Sequence, residues 1–163
     1  MLLDWKYSAW ATRRLLDACA RLTIEERTRD LGMPHGSVLS TFDHMYRSEE
    51  FWAGCLVANE MPPMDEIGET EPQAPRELET LERLWPTVWE QVDQWLSSLS
   101  EEELNETLTS RIAAGRDFEF TRWQLILHSV NHSTLHRGQI AGMLRMMGKR
   151  SPNVDIMGYY LRS

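Results

Sequence analysis

Four stretches of roughly 20–27 residues read as helices, three of them with apolar side chains every three or four positions, and this helical period constrains the fold more than anything else in the chain. The first reads as a helix from about Leu2 to Leu22, striped by Leu3, Tyr7, Trp10, Ala11, Leu15, Ala18 and Leu22. The second begins near His35 or Gly36, behind Ser37 as N-cap, and carries Val38, Phe42, Met45, Trp52 and Leu56. The third covers about Pro75 to Leu99, with Leu78, Leu81, Trp85, Val88, Val92 and Trp95 on one face. Pro86 falls inside it and predicts a kink or an irregular turn. The fourth runs from Arg122 to Met147, with Thr121 as cap and Gly148 at its end.

The connections are legible from their breakers. Thr23 to Pro34 is charged and holds Gly32, so it reads as a link. MPPMDEIGETEPQAP, with four prolines, is the longest loop and long enough to be a crossover or a lid. Leu108, Ser110 and Ile112 alternate before Ala-Gly-Arg, and Phe118 and Phe120 alternate after it, which predicts a small β-hairpin. The tail SPNVDIMGYYLRS is expected to add a short terminal helix. Together these give an all-α four-helix bundle with a hairpin before the last long helix, as one domain over residues 1–163.

Composition narrows the function classes. Hydrophobic residues at 42% and charged residues at 26% suit a folded chain with a core. A net charge of −8 argues against a nucleic-acid partner, because phosphate binding needs clustered Lys and Arg. No stretch approaches the roughly 18–20 apolar residues that span a bilayer, so no membrane partner is expected. The start MLLDWKYSAW carries Asp4 and Lys6 and offers no secretory apolar region. Cys19 and Cys55 have no metal-knuckle spacing and read as small buried hydrophobes in a reducing cytoplasm.

The histidines carry the chemistry. His128, His132 and His136 fall at four-residue intervals on the fourth helix, and His44 lies on the second. Neighbours in that series share a helix face about 6 Å apart, so two can converge on one ion. The outer pair stand about 12 Å apart along the axis and cannot do so easily. A mononuclear site therefore takes one adjacent pair and borrows a third ligand, for which His44 is the natural lender. Ser133 stands where a zinc peptidase of the HExxH type would place its glutamate, which argues against a peptidase.

Two segments resemble the DinB family of bacterial damage-inducible proteins, which includes the related bacillithiol S-transferases. The stronger is VNHSTLHRGQIAGMLRMMGKRSPNVDIMGYYL, with His132, His136, Arg137, Gly138, Gln139, Gly148, Pro152, Asp155 and Tyr159 at the family's positions. The other is FDHMYRSEEFW, in which His44, Glu49 and Trp52 match the second-helix pattern. YSAWATRRLLDACARL is similar to the family's first helix, with Thr12 where asparagine is common.

The resemblance implies an up-down-down-up bundle, frequent homodimers, and one divalent ion (zinc, nickel or iron) held by His44, His132 and His136 with open coordination positions. His128 is then expected to line the cavity beside the ion. Arg137 would clamp an anionic substrate, pair with Glu49 or Asp155, or pack inside the bundle. Glu49 lies five residues after His44, turned about 140° away at roughly 100° per residue, and so should face a different neighbour. His35 is expected to be a bystander whose loss leaves metal content unchanged. An open site of this kind suits a cytoplasmic enzyme acting on a small molecule. The first expectation is transfer of a low-molecular-weight thiol onto an electrophile; the alternatives are a metal-dependent hydrolase and a non-catalytic metal-binding stress protein.

The charge balance makes a direct test available. Pure protein should fail to retain duplex DNA at about 0.15 M salt, where only clustered basic contacts survive screening. Submicromolar, salt-sensitive retention in a filter-binding assay would overturn that expectation.

Overall fold

The computed structural model describes residues 2–63, 74–111 and 117–162. Its long helices are α1 (Leu2–Cys19), α3 (Val38–Ala58), α4 (Leu78–Ser98) and α6 (Arg122–Met146). Shorter pieces are α2 (Ile24–Thr28), α5 (Glu101–Leu104) and α7 (Ile156–Tyr160), with β1 (Thr107–Arg111) paired antiparallel to β2 (Asp117–Thr121). Three of the four long helices match the apolar stripes, and α6 fills the span between the Thr121 cap and Gly148. The link after α1 is more ordered than its composition suggests, because Thr23 and Glu26 close a capping box that starts α2. Most of the proline-rich loop, and the turn of the hairpin with Ile112, lie outside the described residues.

Side-chain pairs fix the helix directions. Lys6 meets Asp93, Arg13 lies over the Trp89 ring, and Arg27 reaches Glu79, so α1 and α4 run antiparallel. Asp43 binds Arg76 just ahead of α4, and Glu49 binds Trp85 and Trp89 further along, so α3 and α4 run parallel. His44 faces His136, Glu49 faces Ser133 and Trp52 faces His128, so α3 and α6 are antiparallel. The result is the up-down-down-up bundle. Pro86 sits inside α4 without ending it, at the cost of one backbone donor.

The core is filled by Leu15, Phe42, Met45, Leu56, Leu81, Trp85, Ile126, Ile140 and Met143. One side of α6 departs from this rule, for Ser129, Ser133, His136 and Arg137 are all buried there. Ser133, His136 and Arg137 each answer to a polar neighbour on another helix or within α6. Arg137 donates to the Ser8 hydroxyl at 2.7 Å, Thr12 Oγ1 at 3.2 Å and Thr134 Oγ1 at 2.7 Å, and its guanidinium lies over the Tyr7 ring. Burial pushes its pKa down, while Tyr7 and Glu49 favour the charged form. Of the roles open to Arg137 from sequence, these contacts are those of a residue joining α6 to α1.

Glu49 is 1% exposed and has three donors. Ser133 Oγ donates to Oε1 at 2.6 Å, while the indoles of Trp85 and Trp89 donate to Oε2 at 2.6 and 3.2 Å. One carboxylate thus joins α3, α4 and α6. Glu49→Ala should destabilise the protein by about 3–5 kcal/mol in urea unfolding, because it strands buried donors and removes a charge opposite Arg137. Ser133→Ala, which removes one bond to a charged group, should cost about 1.5–3 kcal/mol. Equal stability of wild type and Glu49→Ala would refute this junction.

Candidate metal centre

His132 and His136 lie one turn apart on the side of α6 that meets α3, where His44 projects toward them. His132 Nε2 stands 3.1 Å from His44 Nε2 and 3.1 Å from His136 Nε2. Two nitrogens bound to one tetrahedral zinc at about 2.0–2.1 Å are roughly 3.3–3.4 Å apart, so the spacing already approximates a shared ion. Burial, aided by neighbouring histidine charge, pushes His132 down to about 3. The same causes push His44 down to about 4. Both are therefore neutral at pH 7 and offer a lone pair.

Neighbouring groups fit the same use. His136 Nδ1 stands 2.8 Å from Gln139 Oε1, which can only accept, so the proton sits on Nδ1 and Nε2 carries the lone pair. Nδ1 of His132 is buried without a hydrogen-bond partner. Its Nε2 therefore carries all of this ring's polar contact, toward the two other imidazoles. Imidazole nitrogens 3.1 Å apart need a proton or a cation between them. The donor set fits a divalent ion.

The remaining candidates fall around this cluster. His128 is exposed at the rim, its ring 5.0 Å from Trp52 and 5.8 Å from His132. Glu49 faces away from the imidazoles toward its three donors. Asp43, beside His44, is also occupied: burial raises its pKa, but hydrogen bonds from Arg76 and Arg47 overcome this and hold it below the usual carboxylate range.

His35 also lies in the cluster. Its ring stacks on that of His44 with centroids 3.9 Å apart and lies 5.0 Å from His136. One ligand atom from each of His35, His44 and His136 falls within 4.8 Å of the others. Two triads thus share His44 and His136. The His132 triad has two Nε2–Nε2 spacings of 3.1 Å and two ligands from one helix face. Sequence gave no signal for His35, because it belongs to no helical series and reaches the cluster only through the turn at Gly36.

The three helix-borne histidines give one expected outcome. His44→Ala, His132→Ala and His136→Ala should each lower bound zinc or nickel in metal analysis of the purified protein. Gln139→Ala should keep the ion but weaken it by about 10- to 100-fold, by freeing the His136 tautomer. Full occupancy in His44→Ala would leave only a pair on α6 and end the cross-helix site.

Comparison with known proteins agrees with this fold. The DinB family profile matches residues 1–161. Protein DinB of Bacillus subtilis (strain 168) is 26% identical over 161 residues, covering 96% of this chain and 91% of that protein. Among solved structures, a DinB-like protein from Bacillus subtilis superposes with a TM-score of 0.65 at 14% identity, covering 93% of this chain and 97% of that one. Another from Bacillus cereus ATCC 10987 gives 0.59 at 17% identity, with 93% of both chains covered. At such identities the structures speak for the fold alone, whereas the profile spans nearly the whole sequence. This chain belongs to the DinB family.

Proposed function

We propose that the protein is a metal-dependent transferase that joins a low-molecular-weight thiol to a small electrophile, working as a cytoplasmic homodimer. The observation that carries this reading is the convergence of His44, His132 and His136 Nε2 without a carboxylate among them. A divalent ion held by imidazoles alone keeps its full charge, and when bound it supplies the field that lowers the pKa of a nearby thiol. Zinc, nickel and iron all accept such nitrogen donors.

The chain's own residues do the positioning. Gln139 holds the His136 ring, and Glu49 with Ser133 sets α6 against α3. Trp52 and His128 form an aromatic edge beside His132, suited to a small apolar electrophile. The reacting thiol comes from outside. Cys19 and Cys55 are both buried, and burial outweighs the charge of Arg27 to push Cys19 up to about 12. Hydrolysis is less well served, because Asp43 and Glu49 already spend their oxygens on Arg47, Arg76, Trp85, Trp89 and Ser133.

The test is conjugate formation from a small thiol and a panel of aryl and alkyl halides, with zinc- or nickel-loaded protein. Turnover should require the thiol, stop on chelation, and fall at least on the order of a hundredfold in His132→Ala, since such an ion contributes several kcal/mol. Turnover without thiol would point instead to a hydrolase. No turnover across the panel would leave a non-catalytic metal-binding protein.

A further inference from the structure

His35 reaches the histidine cluster from a connection, between α2 and α3, and not from a long helix. That connection is tightly built. Gly32 N donates to Asp30 Oδ1 at 2.8 Å, Leu31 N to Gly36 O at 2.9 Å, Gly36 N to Met33 O at 2.7 Å and Ser37 N to His35 O at 2.8 Å. Gly36 turns the chain at φ +73°, a conformation that favours glycine, so that Ser37 can cap α3 immediately after His35. The backbone around His35 therefore brings its side chain within reach of His44.

We propose that His35 is an exchangeable fourth nitrogen for the ion held by His44, His132 and His136, closing the centre at rest and giving way to an incoming ligand. This rests on the metal reading above. Two imidazoles that donate to one ion at a tetrahedral angle have centroids about 5 Å apart, from metal–nitrogen distances of about 2.0–2.1 Å. The three helix-borne rings are 4.4, 4.7 and 5.0 Å apart, and His35 is 5.0 Å from His136. The His35–His44 separation, 3.9 Å, is short by about 1 Å on that standard. His35 joins the shell by a side-chain swing that gives up its stack on His44.

The two kinds of ligand differ in what holds them. His44, His132 and His136 stand on helices packed into the core, whereas His35, half-buried like His44 and His132, stands on a nine-residue connection, residues 29–37, held by backbone hydrogen bonds. The ligand on the lighter support is the one that leaves. A fourth ligand fixed on a helix would make a closed structural site; one on a loop closes the site only until something better binds.

The experiment uses full-length protein, cobalt(II) chloride as the probe ion and free imidazole as the competing ligand. Cobalt affinity is measured by chelator competition, and the visible absorption bands report the coordination number. His35→Ala should still bind one equivalent, about tenfold more weakly or worse. Its bands should be weaker, and imidazole should restore the wild-type spectrum. Wild type should respond to imidazole only at higher concentration, because His35 competes. His35→Phe, which keeps a stacking ring but no nitrogen, should behave as His35→Ala, so a disturbed loop is not mistaken for a lost ligand. Identical affinity, spectrum and imidazole response in wild type and both variants would overturn the proposal while leaving the three-histidine site intact. Complete loss of cobalt in both, matching His132→Ala, would overturn it too, by making His35 a fixed ligand. Failure of wild type to bind cobalt at all would remove the metal centre, and this proposal with it.

Discussion

The buried carboxylate of Glu49 is the constraint on which the arrangement of the helices turns. A charge at that depth is tolerated only if donors surround it, and here they come from two other helices: Trp85 and Trp89 on α4, and Ser133 on α6. Sliding or rotating any of the three helices would break at least one of these bonds and leave a buried polar group unpaired. Apolar contacts are non-directional and would tolerate such a slip more readily. The carboxylate therefore fixes the register that the core alone leaves loose.

That register is also the register of the histidines. His132 is the neighbour of Ser133, and His44 precedes Glu49 on α3, so the bond that locks α6 to α3 also sets the distance between their imidazoles. Arg137, one residue beyond His136, performs the same service toward α1 through Ser8 and Thr12. The buried side of α6 thus carries alternating duties, with Ser133 and Arg137 holding neighbouring helices while His132 and His136 face the cluster. Its polarity is the reason the site is well placed.

A site built on this frame combines a stiff half with a softer one. The helix-borne imidazoles are held by packing and by Gln139, while His35 arrives on a short hydrogen-bonded turn. Burial keeps His44 and His132 neutral, and the acids nearest in sequence, Asp43 and Glu49, are engaged elsewhere. What remains facing the shared space is nitrogen. Such a set suits a divalent cation and an exchangeable anionic partner better than it suits proton transfer.

The sequence by itself determined the helices, their approximate ends and the pairing of residues four apart on one face. These are local properties, fixed by side-chain period, caps such as Ser37 and breakers such as Gly148. Spacing along one helix also marked His128, His132 and His136 as a series from which an adjacent pair could join His44, and the family resemblance chose His132 with His136. Only the tertiary structure decided which polar residues go inside. Helical period puts Glu49 on the stripe of Val38, Phe42, Met45, Trp52 and Leu56 and the exposed Glu50 off it, but only packing supplies the donors that let a carboxylate stay there, and α6 has so polar a buried side that its apolar pattern could not orient it. His35 was illegible for a related reason: a residue in a turn has no period, and its neighbours in space are set by where α3 and α6 pack. Burial of polar and loop-borne groups depends on partners far away in the chain, and those partners exist only once the helices have met.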